Sequence, residues 1–217
     1  DAASQLLGNW LTIDVAPVLL DLVKTAPADK IQVRAMRGYI RVARQFAMSD
    51  TERIEMCHKA TEACFRTDER KLVIEVLRRY PSMDTLKLAL NAAKDPELKD
   101  LALDAILVIA VKLVKEANEV REMLAPIEFK EAKVEIVKAE YGSGSNQKDV
   151  TDILKSNAKN SQLIRLPSVN CNELFGGDPA AGSAKQLKIQ YRLNDAPGDV
   201  SLPENSLVIL PVPKEKK

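Results

Sequence analysis

The glycine-rich stretch from Leu174 to Lys185 is the part of this chain that most resembles a place for chemistry. Gly177 and Gly182 stand at the interval of a phosphate-cradling loop, but Ser183 occupies the position where such a loop needs lysine. Residues after Lys185 alternate as a strand, so no helix N-terminus is expected to face a phosphate. Nucleotide binding is therefore not expected. The stretch reads as framework, with Gly176, Gly177 and Gly182 taking backbone angles closed to other residues. Asp178 is expected to anchor the loop by accepting from its N–H groups, with Pro179 stiffening the exit. Asp178 and Lys185 are carried forward as a candidate interaction pair.

A second candidate is the ridge Arg34, Arg37, Arg41 and Arg44, whose spacing puts four guanidinium groups on one helix face. Such a ridge would suit an anion or an acidic partner. The competing reading is a ladder of ion pairs between helices, with Glu69 or Glu75 as partners, and the near-neutral charge of the chain favours it. His58 is the one histidine, and beside Cys57 it supplies neither metal-ligand spacing nor an evident catalytic base. Cys57 and Cys64 are seven apart on one expected helix, about 10 Å along its axis, which exceeds disulfide reach. Both read as small core residues. No catalytic residue, cofactor site or metal site is expected.

The elements that would position these residues change character near Pro126. Before it, apolar residues recur at helical spacing; after it come alternating strands. Two periodicities in 217 residues imply two domains, 1–125 and 126–217. Lys+Arg 32 against Asp+Glu 31 leaves no net field to draw in nucleic acid or an anionic membrane. The longest apolar run, Ala102 to Val111, is interrupted by Asp104 and too short to span a bilayer. A chain opening on Asp1 rather than Met reads as a mature or excised fragment.

Seven helices are expected, at 3–11, 15–24, 28–47, 50–65, 68–79, 83–93 and 96–122. Ser49-Asp50, Thr67-Asp68 and Ser82 suit helix N-caps, Pro17 and Pro96 suit first turns, and Pro81 halts the helix before it. Apolar stripes run through Val33, Met36, Ile40 and Ala43, through Leu72, Val76 and Leu77, and through Leu98, Leu101, Ala105 and Ile109. The pattern resembles about three HEAT-type repeats, with armadillo-like stacking the near alternative. That resemblance implies an α-α superhelix that binds along its surface and does no catalysis.

Beyond the junction, Glu128 to Glu131 has helix potential. A strand follows from Lys133 towards Tyr141, whose alternation slips at Val137, Ala139 and Tyr141, as a bulge would produce. Gly142 to Asn146 is a turn, and Asp149 or Thr151 would cap a short helical turn. Leu187, Ile189, Tyr191 and Leu193 alternate cleanly with polar residues, and Val200, Leu202 and Leu207 to Leu210 complete five to seven strands. A small antiparallel β-sandwich is expected, with Lys214 to Lys217 as a solvated tail.

Tyr141-Gly142, Asp149-Val150-Thr151, Leu174 to Pro179, Gly182, Lys185 to Tyr191 and Leu210-Pro211 resemble, in order, a small domain of unknown function. It is similar to the domain ending a mitochondrial DnaJ-like family and to modules following repeats in large secreted bacterial proteins. The resemblance implies no reaction, and it inclines the location towards the periplasm or the exterior. The expectation is a noncatalytic scaffold or protein-interaction fragment of a larger bacterial protein. The alternative is a carbohydrate-associated accessory module, disfavoured because the second half has no Trp and few aromatics to stack on sugars.

Overall fold

The structure is a computed structural model, and it describes Trp10 and residues 12–213. The chain divides into two compact units, the first ending at Ile109 and the second beginning at Ala110. Helices make up the first, and antiparallel sheets dominate the second. The α-then-β layout expected from the change in periodicity is observed.

In the first unit a 3-10 turn at Ile13–Val15 leads into α1 (Ala16–Thr25), with α2 (Asp29–Gln45), α3 (Asp50–Ala63), α4 (Thr67–Arg79), α5 (Met83–Ala92) and α6 (Lys99–Ala110) following. Helix α2 packs on α1, α3 and α4, while α3 also meets α1 and α5. Contact with the next helix and the next but one is how helical hairpins stack into a superhelix. The stripes do the packing: Met36, Ile40 and Ala43 of α2 and Val76 and Leu77 of α4 are buried. Ile74 of α4 joins Ala102 and Ala105 of α6, and Leu98 just before it, in one cluster. Ser49 and Ser82 each form a capping box, with Glu52 and Thr85 respectively. The helix expected at 3–11 lies outside the described residues, save Trp10.

Three helix expectations need correction. Arg66, not Thr67, precedes α4, and it offers no side-chain cap; Thr67 instead bonds Glu97 in the turn before α6. Pro96 sits in the turn before α6 rather than in its first turn. The single helix expected over 96–122 is two, α6 and α7 (Ala117–Leu124), separated by residues 111–116. No Gly or Pro marks that break. Ala105 to Ala110 is buried all round, whereas α7 buries only Ala117, Val120 and Leu124. Two different burial patterns cannot share one straight helix, and packing decides against local propensity.

The second unit holds α7, β1 (Val134–Ser143), β2 (Asn146–Asp149), α8 (Thr151–Asn157), β3 (Leu163–Ile164), α9 (Cys171–Leu174), β4 (Gln186–Leu193), β5 (Ala196–Pro203) and β6 (Val208–Ile209). Four strands form an antiparallel sheet in the order β2-β1-β4-β5, and β3 pairs with β6. One core joins both: Ile136, Ala139 and Tyr141 from β1, Leu187, Ile189 and Tyr191 from β4, and Ile164 and Val208 from the small sheet. Leu154 of α8 and Phe175 after α9 fill it. The layer opposite the larger sheet is thus two strands and two short helices.

The register of β1 on β4 shifts between Ile136 and Lys138, leaving Val137 as the extra residue of a bulge, 48% exposed. The β4–β5 hairpin turns on Asn194 and Asp195, both with left-handed φ (49° and 68°), the pattern of a two-residue type I′ loop. At the third pair from this turn the Tyr191 ring lies over Gly198, where an added Cβ would meet ring carbon Cζ at 2.7 Å. β5 forms one edge of the sheet and carries Pro197 and Pro203. Glu128 to Lys130 is irregular rather than helical, and Glu131 makes an isolated bridge with Ser161. Backbone pairing with a distant segment replaces the local helix there. The lysine tail lies outside the described residues.

Candidate functional site

The glycine-rich loop is built as its sequence suggests. Gly176, Gly177 and Gly182 have φ of 74°, 119° and 76°, a region costly for any residue with a Cβ. Asp178 Oδ1 accepts from Ala180 N–H at 2.9 Å, closing the turn around Pro179. Lys185 sits beneath it with its side chain 6% exposed, 3.3 Å from Asp178 Oδ2 and 3.2 Å from Glu204 Oε2, and it donates to Ser183 O at 3.2 Å. The Tyr141 hydroxyl lies 2.8 Å from Asn172 Oδ1 and 3.2 Å from Glu204 Oε2. The predicted pair is therefore part of a five-residue network linking β1, α9, the loop and the end of β5.

Electrostatics in this network hold protons in place. Burial pulls the Lys185 ammonium down, but Glu204 and Asp178 outweigh it and the group sits above the ordinary lysine value. Burial drives the Tyr141 phenol up, and the charges near it add to the effect. An ammonium clamped between two carboxylates is no base, and a phenol held protonated is no nucleophile. Tyr141, Asn172 and Glu204 escaped sequence reasoning because they come from three distant elements with no shared spacing.

Of the arginine ridge of α2, Arg34, Arg37 and Arg41 are engaged by neighbours. Arg37 Nε bonds Glu69 Oε1 at 2.8 Å, and that carboxylate is 3% exposed. Arg41 donates to Trp10 O at 2.6 Å and lies 5.8 Å from the Phe46 ring centroid. Arg34 is half-buried and engaged as well, and Arg44 is half-buried with its carbonyl accepting from the Tyr80 hydroxyl at 2.7 Å. A fifth arginine, Arg53 of α3, is 5% exposed. Its guanidinium donates to Ala43 O and to Phe46 O, the latter at 3.1 Å, and stacks 3.6 Å from the Tyr80 ring centroid. Polar placement at helical spacing was its only sequence signal, and that also describes every exposed arginine.

Cys57, Cys64 and Cys171 are buried free thiols. Burial pushes Cys57 up to about 12 and Cys64 to about 11. His58 pairs with Glu62 at 3.2 Å on an exposed helix face. Among the described residues no three His, Cys, Asp or Glu side chains gather as a metal site, and no helix is long and apolar enough to cross a membrane.

Two grooves remain. One, of about 550 Å³, runs across α1 and α3 in the first unit, with Ile13, Pro17, Leu20 and Met56 in its walls and Asp14, Asp21, Glu52, Glu55, Lys24 and Lys59 at its edge. The other, of about 250 Å³, lies within the second unit between α7 and the β3–β6 sheet. Arg165 of this groove donates to Leu124 O at 2.9 Å and to Ile127 O, satisfying carbonyls at the C-terminal end of α7. Arg121 donates to Pro167 O at 2.6 Å.

No family model, no curated protein and no solved structure matches this chain.

Proposed function

We propose that the chain is a noncatalytic protein-interaction or scaffold fragment of a larger protein, with the partner taken along the α1–α3 groove. The observation that carries this reading is the chemistry of that groove. Four carboxylates (Asp14, Asp21, Glu52 and Glu55) stand against two lysines, and Lys59 is already paired with Glu55 at 2.6 Å. Apolar walls with an acidic rim suit an amphipathic segment bearing basic residues. Stacked helices offer such surfaces without any reactive group. The engaged Lys185 and the buried thiols support the noncatalytic part of the reading.

The resemblance of the second unit to the C-terminal domain of the mitochondrial DnaJ-like family, and to modules of secreted bacterial repeat proteins, belongs to this proposal too. So does a location outside the cytoplasm. The carbohydrate alternative gains no support: Tyr141, Phe175 and Tyr191 are buried in the core and offer no stacking platform.

The test is site-specific photocrosslinking. A crosslinker placed at Leu20 should trap one partner, and the double reversal Asp21→Lys with Glu55→Lys should abolish the product. A crosslinker at Lys188, on the polar face of the larger sheet, should trap nothing. Equal labelling from Leu20 and Lys188, or a product untouched by charge reversal, sinks the proposal.

A further inference from the structure

Tyr39 of α2 lines the α1–α3 groove, and at 3% exposure it belongs to the floor rather than the edge. Among the described residues nothing bonds its hydroxyl, yet that oxygen is not one of the unpartnered polar atoms sealed from solvent, so it opens onto the groove it lines. In the empty groove water serves such a group, and a bound segment must replace that water with a polar group of its own. Burial first, then Cys57 and Glu55, push the phenol up to about 12, so it stays neutral and can accept as well as donate. The effect of Glu55 places its carboxylate near the hydroxyl. Lys59 engages Glu55 Oε1 at 2.6 Å, which leaves Oε2 for another donor.

We propose that the partner's segment is anchored by an arginine, whose guanidinium enters between α1 and α3 and donates to the Tyr39 hydroxyl and to Glu55. This rests on the reading of that groove as the partner site, and it adds the residue that selects the partner. Carboxylates around the hydroxyl repel an anionic group and favour a cation. A guanidinium has five donors in a planar fork and is more weakly hydrated than an ammonium, so it suits a polar floor between apolar walls better than lysine does. At about 30 Å³ per water-sized atom, about 550 Å³ holds about 18 non-hydrogen atoms, room for an arginine side chain and two leucines. That is one face of a short amphipathic helix.

The experiment is an NMR titration of the ¹⁵N-labelled full chain with an amphipathic peptide of leucine, alanine and arginine, about four helical turns long, and with its twin in which lysine replaces arginine. The arginine peptide should shift amides of residues 16–24 and 52–59, and the lysine twin should bind about tenfold more weakly. Tyr39→Phe should weaken the arginine peptide about tenfold and bring the two peptides level, because the coupling lies between that hydroxyl and the guanidinium. The hydroxyl makes no bond to the described residues, so the variant should unfold at the parent's midpoint, which separates lost recognition from lost structure. Equal binding of the two peptides by the parent, or unchanged affinity for the arginine peptide in Tyr39→Phe, overturns the arginine anchor and leaves the groove standing as a partner site. No shift of groove amides by the arginine peptide at about 1 mM also overturns the anchor, and crosslinking from Leu20 then decides the fate of the groove by itself.

Discussion

Replacing Arg53 by methionine should destabilise the helical unit more than any exposed charge change. The side chain is buried, bonds two carbonyls where α2 ends, and stacks on Tyr80. Methionine leaves the Ala43 and Phe46 carbonyls unpaired, about 1–3 kcal/mol each, and removes a desolvated cation–π contact of about 2 kcal/mol. Against this, the variant no longer buries a charge, nor the Arg53 Nε that lacks a partner, which returns a few kcal/mol. The net loss is about 3 kcal/mol, which for a unit of this size lowers Tm by roughly 10–20 °C. Far-UV circular dichroism follows it, since the first unit holds most of the helix. Arg53→Lys should fare nearly as badly, because a compact ammonium cannot span two carbonyls and lie flat on a ring. Tyr80→Phe, which keeps the ring and loses only the bond to Arg44 O, should cost about 1 kcal/mol. A midpoint for Arg53→Met within about 0.5 kcal/mol of the parent would refute the claim that this guanidinium fastens α2 to α3 and α4.

Gly198→Val should destabilise the second unit by about 1–3 kcal/mol through collision with the Tyr191 ring; pairing it with Tyr191→Ala should recover part of the loss in urea titrations. Lys185→Met leaves Asp178 and Glu204 facing each other without their cation, so limited proteolysis should cut residues 176–184 faster than in the parent. Ellman's reagent should find essentially no reactive thiol in the native chain near neutral pH and three after denaturation, since every cysteine is buried. Glu52 and Asp149 titrate below their ordinary values, chiefly through side-chain hydrogen bonds from Ser49 and Thr151. Their contribution to stability is therefore present above the normal carboxylate range and lost as pH falls through their depressed values. Ser49→Ala should flatten the acid limb of the stability curve; an unchanged acid limb would count against the capping box at α3.

Where one residue type answers to one local constraint, the sequence was a good guide. The slip at Val137 became the bulge, the alternation from Leu187 to Leu193 became β4, and the serines before α3 and α5 became caps. The glycines of the 174–185 loop needed only their own backbone angles, and they have them. The Asn194-Asp195 turn was open to the same reasoning, since two adjacent residues tolerant of left-handed angles mark a tight hairpin. What stayed hidden depends on meetings between distant elements. The break at 111–116 follows from which surface each helix covers, not from a breaker residue. Glu204 is 63 residues from Tyr141, and no spacing marks the two as partners. Of the predicted site, Asp178 and Lys185 do meet, while Arg37 is drawn into an ion pair with a buried partner.

Pro197 and Pro203, on the outer strand β5, have a bearing on self-association. A sheet grows sideways when a further strand finds an unbroken ladder of donors and acceptors. Proline has no N–H, so the rim of β5 is missing rungs near both its ends. Crowded copies of this chain should therefore not zip together rim to rim along β5, and concentrated solutions should stay free of thioflavin-positive fibrils while the second unit is folded. Replacing both prolines with threonine would restore the ladder and should bring that hazard back.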